Sequence, residues 1–259
     1  MTAQSPVLLE ARNISKRFGG VQALKNVSLT IRSGEIYGLI GPNGAGKTTF
    51  FNVLTGLYQR DSGDVLFLDQ ALDLSSPNRV AAAGIARTFQ NIRLFGNMTA
   101  LENVMVGRHV RTHAGVFGAI LRTARQRAEE ATIKRRATEL LHYVGIAHRA
   151  HDLARHLSYG DQRRLEIARA LATEPKLLAL DEPAAGMNAT ETAGLRQLIE
   201  GLRADGLTVL LIEHDVKLVM GLCDRVAVLD YGEKIAEDIP AVVQKNPKVI
   251  EAYLGGGVA

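Results

Sequence analysis

Residues 36–49 read IYGLIGPNGAGKTT, an apolar run that leads into a glycine-rich turn. The spacing of Gly41, Gly46, Lys47 and Thr48 matches the phosphate-loop pattern G-x-x-x-x-G-K-S/T. The glycines allow backbone N–H groups to face phosphate oxygens at a helix N-terminus, which itself attracts anions. Lys47 is then placed to reach the β- and γ-phosphates of a nucleoside triphosphate, and the Thr48 hydroxyl to bind Mg²⁺. The alternative, a glycine-rich turn without a ligand, does not account for so many constrained positions.

The composition is that of an ordinary globular chain. Its 259 residues, 46% apolar and 22% charged, fit one large domain or a domain with a sub-domain. No run approaches the ~18 apolar residues that span a bilayer, and no basic region followed by an apolar core indicates a secretory signal. The single cysteine, Cys223, predicts no internal disulfide, suits a reducing cytoplasm and is expected to be a buried, inert thiol. The net charge of +4 permits contact with nucleic acid or anionic lipid but requires neither.

Strand patterns lie on both sides of the phosphate loop. Residues 7–31 alternate apolar and polar side chains and are divided by a turn at Gly19-Gly20. Phe18, just before that turn, is either a stacking surface for an adenine ring or a phenylalanine of the sheet core. Residues 84–90 resemble a further strand, whose last residue, Gln90, could present its amide to a metal ion or a water molecule.

Between about residues 98 and 155 the pattern changes to helical periodicity, which predicts a helical insert in an α/β frame. Eight Lys and Arg residues but only two acidic ones, Glu129 and Glu130, lie between Arg108 and Arg136. A solvated helix face is the ordinary explanation of such a charge run. Contact with a partner or with lipid head groups is the alternative.

Two further apolar runs end in ionisable side chains. Residues 177–182, LLALDE, end in Asp181 and Glu182, and residues 208–214, TVLLIEH, end in His214. Such runs are typical of buried parallel strands, whose carboxyl ends face a ligand crevice. Mg²⁺ needs a carboxylate at that edge, which Asp181 supplies, and Glu182 would orient or deprotonate the attacking water. A lone histidine is usually structural, but His214 is a third polar group after a buried strand.

One more segment, residues 157–162 with the sequence LSYGDQ, precedes a predicted helix at 163–173. The phosphate loop, Gln90, this segment, the Asp181-Glu182 pair and His214 occur in that order. Together they resemble the nucleotide-binding subunit of an ATP-binding-cassette (ABC) transporter, and the resemblance covers nearly the whole chain. It implies an α/β fold in which residues 1–259 form a single ABC ATPase domain. That domain would have a P-loop core of RecA type, an N-terminal antiparallel β region and an α-helical sub-domain inserted at about 98–155.

The resemblance also implies a role for each motif. Glu182 would be the catalytic carboxylate, Gln90 the Q-loop glutamine and His214 the switch histidine. Phe18 would stack on adenine, and Mg²⁺ would be bound by Thr48, Gln90 and Asp181. The Walker A loop, which would bind the nucleotide, comprises Gly41, Pro42, Asn43, Gly44, Ala45, Gly46, Lys47, Thr48 and Thr49. The signature, which would contact the γ-phosphate of ATP held by the opposite subunit, comprises Leu157, Ser158, Tyr159, Gly160, Asp161 and Gln162.

The residues of the signature suit that role. Ser158 offers a hydroxyl, Gly160 permits close approach of a backbone amide, and the following helix points its positive end at phosphate. Because the chain already carries one phosphate loop, a second phosphate-binding element implies a second nucleotide. A head-to-tail dimer with two ATP molecules in its interface satisfies both elements.

Finer details are similar to the importer ATPases for branched-chain amino acids, and most of all to the first of that system's two ATPase subunits. The matching stretches are 86–95 (ARTFQNIRLF), 184–188 (AAGMN) and 250–255 (IEAYLG). Two residues depart from the general ABC pattern, since Tyr159 replaces a glycine and Asn188 replaces the D-loop aspartate. Both departures occur in the branched-chain group, although Asn188 removes a carboxylate charge from the D-loop.

The resemblance implies a motor subunit that uses ATP and Mg²⁺ and acts on membrane permease subunits, with its helical sub-domain docked on their cytoplasmic loops. A second ATPase subunit, identical or different, would complete the dimer, and a solute-binding protein would belong to the same system indirectly. The protein would lie peripherally on the cytoplasmic face of the inner (plasma) membrane and bind no nucleic acid. Within transporters, the alternatives to branched-chain amino acid import are lipopolysaccharide export and uptake of other amino acids or amides.

Two other classes of protein share the phosphate loop. Soluble ABC ATPases that act on nucleic acid or ribosomes typically carry long coiled coils or two cassettes, and neither is apparent in this sequence. A small-molecule or nucleotide kinase would lack a Ser-x-Gly signature and a switch histidine, both of which are present here.

Overall fold

The computed structural model describes residues 5–108 and 124–255, which form two sheets with helices around them. The described strands are β1 (Val7–Phe18), β2 (Val21–Arg32), β3 (Ile36–Ile40), β4 (Ser62–Phe67), β5 (Gln70–Ala71), β6 (Ile85–Arg87), β7 (Leu177–Asp181), β8 (Thr208–Ile212), β9 (Arg225–Asp230) and β10 (Glu233–Asp238). The described helices are α1 (Lys47–Leu54), α2 (Pro77–Ala83), α3 (Ala100–Arg108), α4 (Ala124–Tyr143), α5 (Tyr159–Leu171), α6 (Ala189–Ala204), α7 (Val216–Leu222), α8 (Pro240–Val243) and α9 (Pro247–Gly255). Much of the basic segment noted in the sequence, from 109 to 123, lies outside the described residues.

The smaller sheet is antiparallel and has the strand order β2-β1-β4-β5. β1 and β2 form a hairpin around the Gly19-Gly20 turn that the sequence predicts. Buried side chains of this hairpin, such as Leu9 and Ile31, pack in one apolar cluster with Phe50 and Phe51 of α1. The hairpin is therefore held against the helix that follows the phosphate loop, and the predicted N-terminal antiparallel β region is confirmed.

The larger sheet has the strand order β10-β9-β3-β8-β7-β6, in which only the edge strand β10 runs antiparallel to its neighbour. Every residue of β3, β7 and β8 is buried, as their continuous apolar sequences predict. Because these three strands are parallel neighbours, their carboxyl ends meet at one edge of the sheet. That edge carries the phosphate loop after β3, Glu182 after β7 and His214 after β8.

The helices α3, α4 and α5 occupy the region between β6 and β7. Their buried residues, among them Val104, Leu141 and Leu165, share a second apolar cluster with Leu178 and Leu180 of β7. A helical insert is thus present in the described part of 98–155, and its behaviour as a separate sub-domain stays a prediction. None of the described helices has both the length and the apolar character that crossing a membrane requires.

Cys223 follows α7 and is buried, as expected of an inert thiol. Burial also raises the pKa of its thiol well above the ordinary value, which keeps the group uncharged. The sulfur packs on β3 at Gly38, where an added Cβ would lie 2.9 Å from Sγ. Cys223 is therefore part of the packing beneath the central strand.

Candidate functional site

The phosphate loop joins β3 to α1 in a backbone path that only glycine permits at two positions. Gly41 has φ +154°, and a Cβ there would lie 2.1 Å from the carbonyl oxygen of Leu229 on β9. Gly46 has φ +99°, and a Cβ there would lie 2.7 Å from the carbonyl oxygen of Ala23 on β2. The loop is consequently enclosed by backbone from both sheets, which sets its shape before any ligand binds.

Lys47, the first residue of α1, is almost completely buried beneath this loop. Its Nζ donates hydrogen bonds to the carbonyl oxygens of Gly41 at 2.7 Å and Pro42 at 2.9 Å. Burial lowers the pKa of Lys47, and the nearby Glu182 and Asp181 carboxylates oppose that shift. No side chain caps the start of α1, so its first backbone N–H groups remain available to an anion, and Thr48 is exposed there.

Asp181 ends β7 as a buried carboxylate that lies near the guanidinium of Arg87. Its Oδ2 lies 3.8 Å from Nη2 of Arg87, and burial raises the pKa of Asp181 to about 6 despite that charge. Arg87 stacks on the rings of Phe51 and Phe89, with its guanidinium carbon 4.5 and 4.4 Å from their centroids. Arg87 is not among the residues that the sequence motifs indicate, although an arginine at the end of an otherwise apolar strand was a usable signal.

Three predicted catalytic residues meet at the Glu182 carboxylate. Gln90 donates from Nε2 to Oε2 of Glu182 at 2.8 Å, and Nδ1 of His214 lies 3.6 Å from the same oxygen. The backbone of Glu182 is anchored to the neighbouring strand, because its N–H donates to the carbonyl oxygen of Ile212 at 2.8 Å. Glu213, fully buried beneath, accepts hydrogen bonds from the backbone N–H groups of Ala184 and His214. The arrangement surrounds one partly exposed carboxylate with an amide and an imidazole, which suits the activation of a water molecule.

Gln90 reaches Glu182 from outside the sheet. The strand predicted at 84–90 is shorter in the structure, where β6 ends at Arg87. One further backbone hydrogen bond joins the Thr88 N–H to the carbonyl oxygen of Ala179 at 2.9 Å. Beyond that point the chain turns away from β7 and follows α5, whose Arg163 and Glu166 contact residues 89–93. These two helix residues were also missed in the sequence analysis, because a charged pair in a helix is ordinarily exposed.

Phe18 is the last residue of β1, and 43% of its surface is exposed. Its ring lies edge-on to Tyr58, with centroids 5.3 Å apart and planes at 74°. This position does not fit a phenylalanine of the sheet core, which was the alternative. Stacking of Phe18 on adenine stays a prediction.

The signature forms the start of α5 instead of preceding a helix. The prediction of a helix from Arg163 was wrong by about one turn, because Oγ of Ser158 accepts the Asp161 N–H at 3.2 Å and caps a helix that begins at Tyr159. Leu157 is buried, and its carbonyl oxygen accepts a bond from Nε2 of Gln162 at 3.0 Å. The capped first turn leaves its remaining backbone N–H groups at the positive end of the helix dipole.

Asn188, the departure in the D-loop, caps the adjoining helix α6. Its side chain accepts the Glu191 N–H at 3.0 Å, and the Glu191 carboxylate accepts the Asn188 N–H at 2.9 Å. This reciprocal capping box places the Glu191 carboxylate beside Gly160, where an added Cβ would lie 2.8 Å from Oε1. The signature and the D-loop are therefore in direct contact within one subunit.

Comparison with known protein families and sequences gives consistent matches. A family described as "ABC transporter" matches residues 24–185, and one described as "Branched-chain amino acid ATP-binding cassette transporter" matches residues 233–259. The chain is 46% identical over 252 residues to the high-affinity branched-chain amino acid transport ATP-binding protein LivG of Escherichia coli (strain K12), covering 97% of this chain and 99% of LivG. It is 36% identical over 247 residues to the lipopolysaccharide export system ATP-binding protein LptB of the same strain, covering 95% of this chain and 97% of LptB.

Solved structures of ATP-binding cassettes share the fold. The ADP conformation of MJ1267, an ATP-binding cassette of an ABC transporter, is 32% identical and superposes with a TM-score of 0.84 over 97% of this chain and 100% of that one. A dimeric, post-hydrolysis state of the ATP-binding cassette MJ0796 bound to ADP and Pi is 27% identical, with a TM-score of 0.76 over 90% and 99% of the two chains.

Proposed function

The chain belongs to the ATP-binding-cassette transporter family, and from that premise we propose that it is the ATP-hydrolysing motor subunit of an importer for branched-chain amino acids. The 46% identity to LivG across nearly the whole of both chains supports this cargo, as does the C-terminal family match at residues 233–259. Lipopolysaccharide export, the activity in the name of LptB, is the second candidate, and the lower identity of 36% makes it the weaker one.

Mg²⁺ is the metal that suits the oxygen donors at the carboxyl edge of the larger sheet. Asp181 provides a carboxylate at the end of β7, Thr48 an exposed hydroxyl at the start of α1, and Gln90 an amide oxygen. Among residues 5–108 and 124–255 no group of three or more His, Cys, Asp or Glu side chains could hold a metal by itself. Mg²⁺ commonly keeps several waters and binds through one or two carboxylates plus substrate phosphates, so this small donor set fits it. When bound, the ion would neutralise charge on the transferred phosphoryl group.

Glu182 is proposed to orient and deprotonate the attacking water. Gln90 and His214 would hold that water and the Glu182 carboxylate in position relative to each other. The observation that most supports this assignment is the 2.8 Å hydrogen bond from Gln90 to a carboxylate that His214 also approaches. Lys47 would bind the β- and γ-phosphates by exchanging its bonds to the loop carbonyls for phosphate oxygens, which are stronger acceptors. Phe18 would stack on the adenine ring.

The ATP-binding cassette MJ0796 is dimeric in its solved structure, and we propose that this chain likewise forms dimers and acts with membrane permease subunits. We propose that Ser158, Gly160 and the start of α5 contact the γ-phosphate bound by the opposite ATPase subunit, which is a second copy or a related chain. A solute-binding protein would belong to the system without touching this chain. The motor would then lie on the cytoplasmic face of the membrane, where ATP is available, and it would bind no nucleic acid.

The permease is proposed to contact the surface between the Gln90 segment and α3. Phe95 and Leu57 line one groove there and expose 47% and 43% of their surfaces. Exposed apolar side chains that cluster in one groove are typical of a protein contact. A cytoplasmic loop of the permease in this groove would touch the segment that carries Gln90, which would link transport to hydrolysis.

The Glu182→Gln variant tests the assignment of the base. The amide keeps the size and much of the hydrogen bonding of the carboxylate, so ATP should still bind. Turnover should fall by ~10²–10⁴-fold, the usual contribution of a general base. The ATP-bound dimer should outlive that of the wild type, which light scattering with Mg-ATP and the partner ATPase would measure.

Lys47→Ala is the control, because it should lose ATP binding and therefore form no ATP-dependent dimer. If Glu182→Gln hydrolysed ATP at the wild-type rate, the base would have to be another residue, with His214 the first candidate. The cargo is tested separately, by reconstituting the motor with its permease and solute-binding protein in liposomes. Leucine should stimulate hydrolysis there; stimulation by lipopolysaccharide alone would favour the second candidate.

A further inference from the structure

Two buried charges on α5 have no part in the reaction described so far. The side chains of Arg163 and Glu166 are 0% and 1% exposed, and Nη1 of Arg163 lies 2.8 Å from Oε2 of Glu166. Charged side chains are almost never buried to this degree unless they are paired and hydrogen-bonded. Their other hydrogen bonds therefore indicate what the pair holds in place.

Both residues bind the backbone of the segment that carries Gln90. Arg163 donates from Nη1 to the carbonyl oxygen of Phe89 at 2.6 Å and from Nη2 to the carbonyl oxygen of Gln90 at 2.8 Å. Glu166 accepts on Oε1 the backbone N–H groups of Phe89 at 3.2 Å and Arg93 at 3.4 Å. The pair thus supplies donors to the carbonyl groups and an acceptor to the N–H groups of the same short stretch.

This stretch lies outside the regular strands and helices. β6 ends at Arg87, and residues 89–93 belong to no strand or helix. The side chains of α5 consequently supply backbone hydrogen-bond partners to residues 89–93, as the neighbouring strand β7 supplies them to residues 85–87. A guanidinium suits this task, because its planar fork can reach two carbonyl oxygens at once.

The same guanidinium also contacts the signature. Nη2 of Arg163 donates to the hydroxyl of Tyr159 at 3.2 Å, and its guanidinium carbon lies 5.9 Å from the centre of that ring. The tyrosine that replaces the usual glycine in the signature therefore provides an acceptor for Arg163. This contact is a physical reason for pairing a tyrosine at 159 with an arginine at 163.

We propose that Arg163 and Glu166 are positioning residues that hold the backbone of residues 89–93 so that the Gln90 amide reaches Glu182. The inference rests on the proposed function, in which Gln90 and Glu182 hold the attacking water. The side chains of Arg163 and Glu166 are fully buried and so present no surface to a nucleotide. Substituting either residue should therefore change turnover by displacing Gln90. A residue that only stabilises the fold would not show this dependence on Gln90.

The test is a double-mutant cycle between Arg163 and Gln90, measured on the full chain with its partner ATPase. Arg163→Lys keeps the charge opposite Glu166, but an ammonium group does not form the planar fork that binds both carbonyl groups. Arg163→Lys should lower kcat by about 10- to 100-fold, the scale expected for a misplaced catalytic group, with little change in ATP affinity. In a Gln90→Ala background, which is itself slow, Arg163→Lys should have no further effect.

Arg164→Lys is the matched control. Arg164 lies on the same helix and also donates to a backbone carbonyl, that of Val144 at 2.8 Å, which belongs to a different segment. Arg164→Lys should therefore leave kcat unchanged. The chain contains no tryptophan, so Phe95→Trp would introduce a single fluorophore that reports the conformation of the Gln90 segment. Its fluorescence should change with Arg163→Lys and not with Arg164→Lys.

If the full effect of Arg163→Lys persisted in the Gln90→Ala background, the inference would be overturned and the proposed function would stand. If Gln90→Ala hydrolysed ATP at the wild-type rate, both the inference and the proposed role of Gln90 would be wrong, while the assignment of Glu182 would still be judged by its own variant. Should Arg163→Lys fold poorly, Glu166→Gln takes its place in the cycle. That variant keeps an acceptor for the two N–H groups but removes the charge that holds Arg163, so the same pattern is expected.

Discussion

Among the single residues of the site, one carboxylate is buried so deeply that its ionised form is disfavoured. Asp181 is 3% exposed, and burial raises its pKa to about 6 although Arg87 lies 3.8 Å away. Arg87 offers limited help because it is itself partly buried between two aromatic rings and binds Asn52 and Thr55. Because the effect of burial exceeds that of the nearby Arg87 and Arg163 charges, ionisation of Asp181 destabilises the fold, and a bound cation would relieve that cost. The geometry therefore favours stability gained on binding metal and nucleotide.

Replacing this carboxylate should stabilise the protein while abolishing metal-dependent hydrolysis. The folded-state pKa of about 6 lies above the ordinary value of 3.8, so ionisation of Asp181 destabilises the fold as the pH rises between these values. Above that range the cost is constant at about 3 kcal/mol. In EDTA at pH 7.5, Asp181→Asn should raise the Tm by about 5 °C or more. The difference between variant and wild type should shrink at pH 4.5; a difference independent of pH would contradict the prediction.

At the scale of elements, the beginnings of two helices depend on each other. α5 is capped by Ser158 and α6 by the reciprocal pair of Asn188 and Glu191, whose carboxylate lies against Gly160. Because the Glu191 carboxylate is held by the Asn188 N–H, it cannot move aside without losing part of the cap. The signature and the D-loop are thus coupled by a contact that an ordinary side chain at 160 would disturb.

This contact can be measured with Gly160→Ala and Glu191→Ala in a double-mutant cycle. Alanine in a helix is favoured over glycine by about 0.5–1 kcal/mol. Where Glu191 is present, the added Cβ at 2.8 Å from its oxygen should cancel that gain, since losing a helix cap costs about 1 kcal/mol. In the Glu191→Ala background, Gly160→Ala should instead stabilise the protein. Equal effects in both backgrounds, measured by urea unfolding, would show that the two residues do not interact.

At the scale of the whole molecule, charge and nucleotide chemistry lie on different parts of the chain. The described end of the basic segment falls on α4, where Lys134 and Arg135 are exposed while Ala137 and Leu141 face the apolar cluster. The phosphate loop, Asp181, Glu182 and His214 come instead from one edge of the larger sheet. Such a separation suits a motor in which one surface meets partners or membrane and another binds ATP.

Neutralising the exposed charges of α4 should therefore affect coupling and not basal hydrolysis. Lys134→Gln combined with Arg135→Gln should reduce the stimulation of ATPase activity by the reconstituted permease. The isolated motor should hydrolyse ATP at its usual rate. The matched control neutralises Arg12 and Lys25 on the antiparallel sheet, two exposed cations whose ion pairs contribute little to stability. A loss of basal activity in the folded α4 variant would contradict the docking role.

The sequence alone determined the features that depend on local spacing and on burial. Features that depend on consecutive residues could be predicted. These are the phosphate loop, the buried strands that end in Asp181 and near His214, and the order of the motifs. The same applies to the β1–β2 hairpin and to the burial of Cys223. Sequence patterns were less accurate in placing the ends of helices. The pattern of residues 163–173 predicted a helix start at 163, whereas the Ser158 cap starts α5 at Tyr159.

Which side chains meet depends on the tertiary structure. Gln90 and Glu182 are 92 positions apart in the chain, and their contact depends on β6 lying beside β7 and on α5 holding residues 89–93. The contact of Arg87 with Asp181, and the bonds from Arg163 and Glu166 to the backbone of Phe89, likewise join elements that are distant in sequence. Asp181, Arg163 and Glu166 are buried, and the burial of such charged groups is tolerated only where specific partners satisfy them. Sequence spacing carries no information about that partner, because the order of strands and the packing of helices bring the two together through space.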